Sequence, residues 1–319
     1  MVQSQGLTSP HESAQKTVIL TGPTAVGKSR LAIELAETLD LEIINADSIC
    51  FYREFDVGSA KPTDEERAQV PHHLIDVASP DETYHAARFY RDCLQVLDEI
   101  HSRGKQALIV GGSGFYLKAL RMGLWEAPST SPEFRATLEA EPTDVLFERL
   151  QQVDAIHAQK IGVNDRYRIV RALEIYELSG KKPSELEAEM PDTPDARFEL
   201  WVVDRDKDEL SRRIRDRIGT MLEQGWMDET KRLRERYPES KTLHAVGYQQ
   251  ILDFLDGIEP PGRNLRQGID GLRDEIELAH RQLAKQQRTW FKNLKPNESF
   301  VLDQDLPRIK EKLMKLHQK

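Results

Sequence analysis

Cysteine is nearly absent from this chain: Cys50 and Cys93 are the only two in 319 residues. Two thiols cannot build a disulfide framework or a four-cysteine zinc module. No apolar run approaches the roughly 18 residues that a bilayer span needs. Residues 1–15 have neither the apolar centre of a signal peptide nor the arginines of an organellar presequence, and read as a disordered tail on a cytoplasmic enzyme. An excess of positive charge is also missing. Lys and Arg number 45 against 54 Asp and Glu, a net charge of −9 that argues against a general polyanion binder while leaving room for a local basic surface. Neither repeats nor low-complexity stretches occur. What is present, 39% hydrophobic with 31% charged residues, describes a globular chain with a solvated surface. Its length suits about two domains with a core that needs no staples.

Short β-branched runs at 17–20, 41–45 and 106–110 read as buried strands, with 74–77 a candidate third in chain order. Between them, Leu31, Ala32, Leu35 and Leu39, and then Phe89, Cys93, Val96 and Ile100, recur at helical spacing. Strands alternating with helices imply crossover connections and a parallel sheet, whose ligands sit at the carboxyl ends of the strands. The pattern changes after Trp125. Hinge-like segments at 127–132 and 190–195 bracket a stretch with little strand signal and a helix at 165–178, after which 198–203 alternates like a strand again. Helices are expected at 209–223, 228–236 and 269–294. The reading is an α/β fold: a P-loop-type parallel sheet flanked by helices, built from 16–126 and 196–319, with a helical insertion at 127–195.

Gly22-Pro23-Thr24-Ala25-Val26-Gly27-Lys28-Ser29 fits the phosphate-loop pattern, after a strand and before a helix. Glycines let backbone N–H groups converge on phosphate oxygens, and the helix N-terminus adds partial positive charge. Lys28 supplies an ammonium and Ser29 a hydroxyl able to hold Mg²⁺. The Asp that usually ends a later strand in nucleotide-hydrolysing members is missing, because 106–110 runs into Gly111-Gly112-Ser113-Gly114. The strand at 41–45 leads instead to Asp47, which suits either a base taking a proton from an acceptor or a helix cap. The glycine run is either a second phosphate cradle with Ser113 or a plain turn. These residues describe a protein that binds a phosphorylated ligand and transfers a group. Spacing alone does not say which group, and a small-molecule kinase fits these residues.

Further motifs narrow the choice. Ala46-Asp47-Ser48 with Tyr52-Arg53, the segment Asp56-Val57-Gly58-Ser59-Ala60-Lys61-Pro62, and Pro71-His72-His73-Leu74-Ile75-Asp76 join the phosphate loop and the glycine run. So do Asn164-Asp165 with Arg168, Arg171, Ala172, Leu173 and Glu174, then Val246-Gly247-Tyr248, and Gln287 with Trp290-Phe291. In this combination the chain resembles the tRNA dimethylallyltransferase (tRNA isopentenyltransferase) family over about residues 17–291. The resemblance implies transfer of a dimethylallyl group from dimethylallyl diphosphate to the exocyclic amine of the adenosine 3′ to a tRNA anticodon. The phosphate loop then binds a leaving group. The resemblance also implies that Asp47 accepts the amine proton, that Ser113 and Arg217 assist at the diphosphate, and that Ser29 helps hold Mg²⁺.

The same resemblance places tRNA contacts at Asp47, Ser48, Ile49, Cys50 and Ser113. In the insertion it places them at Arg135, Tyr167, Arg168, Ile169, Val170 and Arg171, and later in the chain at Gly247, Tyr248, Lys285 and Arg288. Cys50, Tyr167 and Gln286 depart from the family's usual Gln, Gln and Arg, which points to altered recognition around the target base. Cys50 reads as a small buried residue, and adjacent His72 and His73 as structural. The final helix turns from acidic (Asp270, Asp274, Glu275, Glu277) to basic (Arg281, Lys285, Arg288, Lys292, Lys295), which suits either its dipole or an RNA backbone. A monomer without membrane contact is expected.

Overall fold

The computed structural model describes residues 16–125, 128, 131–259 and 266–317; the proposed tail at 1–15 and half of the first hinge, residues 127, 129 and 130, lie outside them. Contacts divide the chain into two compact units, 1–121 with 195–319 and 122–194.

The larger unit is built on one six-stranded sheet. In chain order its first half comprises β1 (Thr17–Thr21), α1 (Lys28–Leu39), β2 (Leu41–Asn45), α2 (Asp64–Gln69), β3 (His72–His73), α3 (Ala86–Ser102), β4 (Gln106–Val110) and α4 (Gly114–Met122). The smaller unit is all helical: α5 (Pro132–Glu139), α6 (Thr143–Val153), α7 (Ala155–Ala158), α8 (Arg166–Ser179) and α9 (Pro183–Ala188). The chain then returns through β5 (Phe198–Asp204), α10 (Lys207–Glu223), α11 (Trp226–Arg236), α12 (Tyr248–Leu255), α13 (Gly268–Asn293), β6 (Glu298–Val301) and α14 (Leu302–His317). Strand order is β3-β2-β4-β1-β5-β6, with every pairing parallel.

Every residue of β1 and β2 is buried. A parallel sheet covered on both faces leaves no strand position for solvent, which explains why these strands read as continuous apolar runs. Helix α3 covers the sheet with Phe89, Cys93, Leu97 and Ile100, and starts where the His85 ring accepts from Arg88 N–H. The smaller unit has its own core, with Leu138, Leu146, Leu150, Ile169, Val170 and Leu173 almost fully shielded.

Two differences from the sequence reading have local causes. The third strand is His72–His73 rather than 74–77, because Leu74 and Asp76 adopt left-handed φ of 58° and 59°, which no strand accommodates. Strand β6 is too short to signal itself. Its register is set by Asn297, whose N–H donates to Leu200 O at 2.8 Å and whose Oδ1 accepts from Leu200 N–H at 2.9 Å.

Candidate active site

The loop after β1 and the loops after β2 and β4 meet at the carboxyl edge of the sheet. Gly27 closes the phosphate loop with φ 104°, a conformation that only glycine adopts without strain, and α1 begins at the next residue. Lys28 Nζ folds back over its own loop, donating to Gly22 O at 2.8 Å and Pro23 O at 3.0 Å. Burial pushes its ammonium down to about 8, with Asp47 pulling it up and Arg217 pushing it further down. Lys28, Asp47 and Arg217 therefore share one electrostatic neighbourhood. Burial likewise works against the charge of Arg217, which Asp47 favours.

Gly112 lies between the two halves of this site. A β-carbon there would stand 3.8 Å from Lys28 Nζ, 3.9 Å from Asp47 Oδ2 and 2.9 Å from Gln287 Nε2. The glycine leaves open the gap between ammonium and carboxylate. Asp47 does not cap a helix, since the residues that follow it, 48–51, form turns. Its Oδ1 accepts from Ile49 N–H at 3.1 Å and its own N–H donates to Asn45 Oδ1 at 3.0 Å, leaving Oδ2 on the Gly112 side. Ser113 Oγ accepts from Ser48 N–H at 2.8 Å and donates to Ser48 Oγ at 3.0 Å, joining the second glycine loop to the Asp47 turn.

Several supporting residues have roles that no local pattern announces. Gln287 Oε1 accepts from Thr24 N–H at 2.8 Å while its Nε2 donates to Gly112 O at 3.0 Å, so α13 ties the two glycine loops together. Arg213 Nε donates to Ala25 O at 2.9 Å and Arg205 Nε to Val26 O at 2.7 Å, bracing the phosphate loop from outside. Glu229 on α11 is 2% exposed. Its carboxylate accepts from the N–H groups of Asp56 (3.0 Å), Val57 (2.7 Å) and Gly58 (3.0 Å) and from Tyr248 OH (2.7 Å). That clamp fixes the segment behind the Asp47 turn. Lys61 reinforces it, donating to Tyr52 O at 3.0 Å and pairing with Asp56 at 2.6 Å and Asp76 at 2.7 Å.

Not every residue expected to touch RNA offers a surface for it. Ile169 and Val170 lie in the core of the smaller unit, and Cys50 and Tyr248 are buried in the larger. Gly247 is buried too. Helical period puts the apolar residues of the 167–171 motif on the inner face of α8, which corrects the expectation for Ile169 and Val170; Cys50, Gly247 and Tyr248 are corrected by tertiary packing that shields them from solvent. Burial pushes the Cys50 thiol up, followed by Asp47, so it stays protonated and is no nucleophile. Arg288 makes a bidentate pair with Asp204 at 2.7 and 2.9 Å and donates to Arg205 O, and so locks α13 to the end of β5. Arg171 pairs with the fully buried Glu174 at 2.7 Å and donates to Pro128 O at 2.9 Å. By contrast Arg168, Tyr167 and Lys285 are exposed. Arg135 pairs with Glu139 at 2.9 Å and lies 5.2 Å from the Tyr167 ring centre. Ile49 is half-buried beside the Asp47 turn.

A metal would find Ser29 exposed, its hydroxyl without a hydrogen-bond partner among the described residues. No cluster of three His, Cys, Asp or Glu side chains among those residues could hold a cation by itself. That donor set fits a cation carried in on a diphosphate, since Mg²⁺ takes only one or two protein oxygens and the rest from phosphate and water.

Phosphate loop, buried ammonium and a facing carboxylate on a parallel sheet define a group-transfer enzyme of the P-loop-type fold. Residues 50–294 match the model of the family described as IPP transferase. A tRNA dimethylallyltransferase of Neisseria meningitidis serogroup A is 43% identical over 87% of this chain and 89% of its own length. One from Burkholderia lata is 41% identical over 92% and 91%. Among solved structures, the tRNA isopentenylpyrophosphate transferase of Bacillus halodurans superposes with a TM-score of 0.68 at 32% identity, covering 95% of this chain and 97% of that one. A eukaryotic dimethylallyltransferase acting on tRNA gives 0.74 at 30% identity, covering 86% and 69%. The chain belongs to the IPP transferase family of tRNA dimethylallyltransferases. No helix among the described residues is long and apolar enough to cross a membrane.

Proposed function

We propose that this chain joins dimethylallyl diphosphate to the exocyclic amine of the adenosine 3′ to the anticodon of tRNA, with the two halves of the site assigned as follows. The diphosphate lies on the backbone of Gly22, Pro23, Thr24, Ala25, Val26, Gly27, Lys28 and Ser29. Lys28 leaves its two carbonyl partners to pair with it, and Arg217 approaches from α10. Ser29 helps hold Mg²⁺, which supplies further neutralisation of the diphosphate when bound. Asp47 Oδ2 faces the amine. As nitrogen attacks the allylic carbon, the C–N bond forms, the C–O bond to the diphosphate breaks, and the proton leaves nitrogen for the carboxylate. Lys28 and Arg217 meet the charge that grows on the leaving oxygen. Ser113 holds the acceptor turn in register through Ser48. The target base must leave its stack to reach this point.

The observation that carries the reading is Gly112, whose missing side chain opens a gap bounded by Lys28 Nζ and Asp47 Oδ2. A kinase would use such a carboxylate as a base as well; membership of the IPP transferase family is what supports a prenyl group as the one transferred. Exposed Arg168, Tyr167 and Lys285 supply phosphate and stacking contacts for the RNA, and the enzyme works as a cytoplasmic monomer. The test is incubation of the purified chain with Mg²⁺, dimethylallyl diphosphate and an unmodified tRNA transcript, followed by nucleoside mass spectrometry. A prenylated adenosine without ATP turnover is expected. Robust ATP hydrolysis with no prenyl transfer would replace this assignment with a kinase.

A further inference from the structure

Helix α4 starts directly after Ser113 and turns Leu117, Ala119, Leu120 and Arg121 inward. Its outer face carries Phe115, which is 57% exposed, and one turn later the exposed Lys118. Beside it lies Trp290 of α13, 39% exposed. The indole rests on the backbone of Gly114: a β-carbon there would stand 2.3 Å from Trp290 Cδ1 and 2.4 Å from Nε1. Two large aromatic side chains are thus left open to solvent, one attached to Gly114 and the other lying on it, at the residue following Ser113.

The surroundings say what such a surface would meet. Lys118, on the same face of α4 as Phe115, is exposed, and among the described residues it is paired with no carboxylate. Most other surface cations of this acidic chain do find one, as Lys310 does in Glu34 at 2.5 Å and Arg234 in Asp256 at 2.7 Å. Aromatic faces beside an unneutralised cation suit a polyanion with unpaired bases, because any base can stack and the backbone supplies the charge. The face begins one residue after Ser113, whose hydroxyl is bonded to Ser48 in the turn assigned to the acceptor.

We propose that Phe115 and Trp290 form a stacking platform for an unpaired base neighbouring the target adenosine, holding the RNA open while the target enters the site. This rests on the reading of tRNA as acceptor. Phe115 is a positioning residue that touches RNA outside the reacting atoms. Its exposed position makes it replaceable without loss of fold.

The experiment measures steady-state transfer to an unmodified tRNA transcript for Phe115→Ala, Phe115→Leu and Phe115→Trp. Fluorescence of transcripts carrying 2-aminopurine on either side of the target adenosine is followed in parallel. Stacking contributions by alanine substitution imply that Phe115→Ala raises KM for tRNA about 5- to 100-fold. KM for dimethylallyl diphosphate should stay unchanged, and Phe115→Leu should behave like Phe115→Ala. Phe115→Trp should retain wild-type KM, and 2-aminopurine at one position should be quenched by wild type and Phe115→Trp only. Full activity of Phe115→Leu would reduce the side chain to apolar cover and overturn the proposal. So would unchanged tRNA KM and quenching in Phe115→Ala. Absence of prenyl transfer by the wild-type chain itself would instead remove the acceptor assignment, and the platform with it.

Discussion

The phosphate loop and the acceptor wall differ in where their order comes from. Residues 22–29 are shaped mainly by their own glycines and by the strand and helix on either side; their one left-handed non-glycine residue, Ala25 at φ 62°, has its carbonyl held by Arg213, and Arg205 and Gln287 brace one further carbonyl and one N–H from outside. Residues 47–61 have no such frame. They run as turns with Glu54 and Ala60 in left-handed conformations, φ 67° and 48°, and are held by Glu229, Tyr248 and Lys61. Glu229 comes from more than 170 positions along the chain. One half of the site is local chemistry and the other is tertiary chemistry. Left-handed residues without glycine are costly and persist where their surroundings over-determine them. Here the surroundings are a buried carboxylate and a buried ammonium.

The contrast can be broken at four points, from the largest effect down. Asp47→Asn keeps the size and the contact to Ile49 N–H but removes the base. Single-turnover transfer should fall by about 10²–10⁴-fold while dimethylallyl diphosphate binding stays near normal. A wild-type rate would assign Asp47 to the turn alone. Lys28→Ala should cost about 10²–10³-fold in transfer and weaken donor binding as well, because it removes a charge aimed at the leaving oxygen. Since the Lys28 ammonium of the free enzyme lies at about 8, it is charged below that pH and loses its charge above it. The kcat/KM for the donor should therefore decline as pH rises through about 8, and Lys28→Arg should move that decline upward. A flat alkaline profile would detach Lys28 from the leaving group.

Glu229→Leu tests the remote clamp. Each buried N–H left without its acceptor costs about 1–3 kcal/mol, so the melting temperature should drop. In protein still folded at low temperature, the transfer rate should fall while donor affinity is preserved. Equal loss of donor binding would show that the clamp serves the fold as a whole. The smallest effect belongs to Arg168→Ala, which should reduce the salt dependence of tRNA binding by roughly one counterion with no change in melting temperature. Arg171→Ala should do the reverse and destabilise the smaller unit, because it strips the shielded Glu174 of its 2.7 Å partner. If both variants alter only the salt slope, Arg171 is a phosphate ligand after all.

Local patterns carried much of this molecule. The runs at 17–20, 41–45 and 106–110 announced the central strands because a sheet covered on both faces favours apolar side chains, with the few polar ones, such as Glu42, held by partners. Lys28 and Asp47 could be picked out because a phosphate loop and a strand end have fixed geometric meaning. The motif at 167–171 could not be resolved in the same way. Spacing marks it as a unit, but only the helix decides that Arg168 faces solvent, that Ile169 and Val170 fill the core, and that Arg171 pairs with Glu174. Arg288 looked like one more cation on a basic helix until Asp204 was brought beside it.

The sequence by itself thus determined the sheet, the donor loop and the carboxylate that faces it, since each depends on residues adjacent in the chain or on strand ends. Tertiary structure decided which cations remain exposed, and what holds the Asp47 turn. It also set the gap at Gly112 between ammonium and carboxylate. Those outcomes depend on partners distant in the chain, where a charge becomes a contact, a clamp or an open surface according to what folding places within about 3 Å of it.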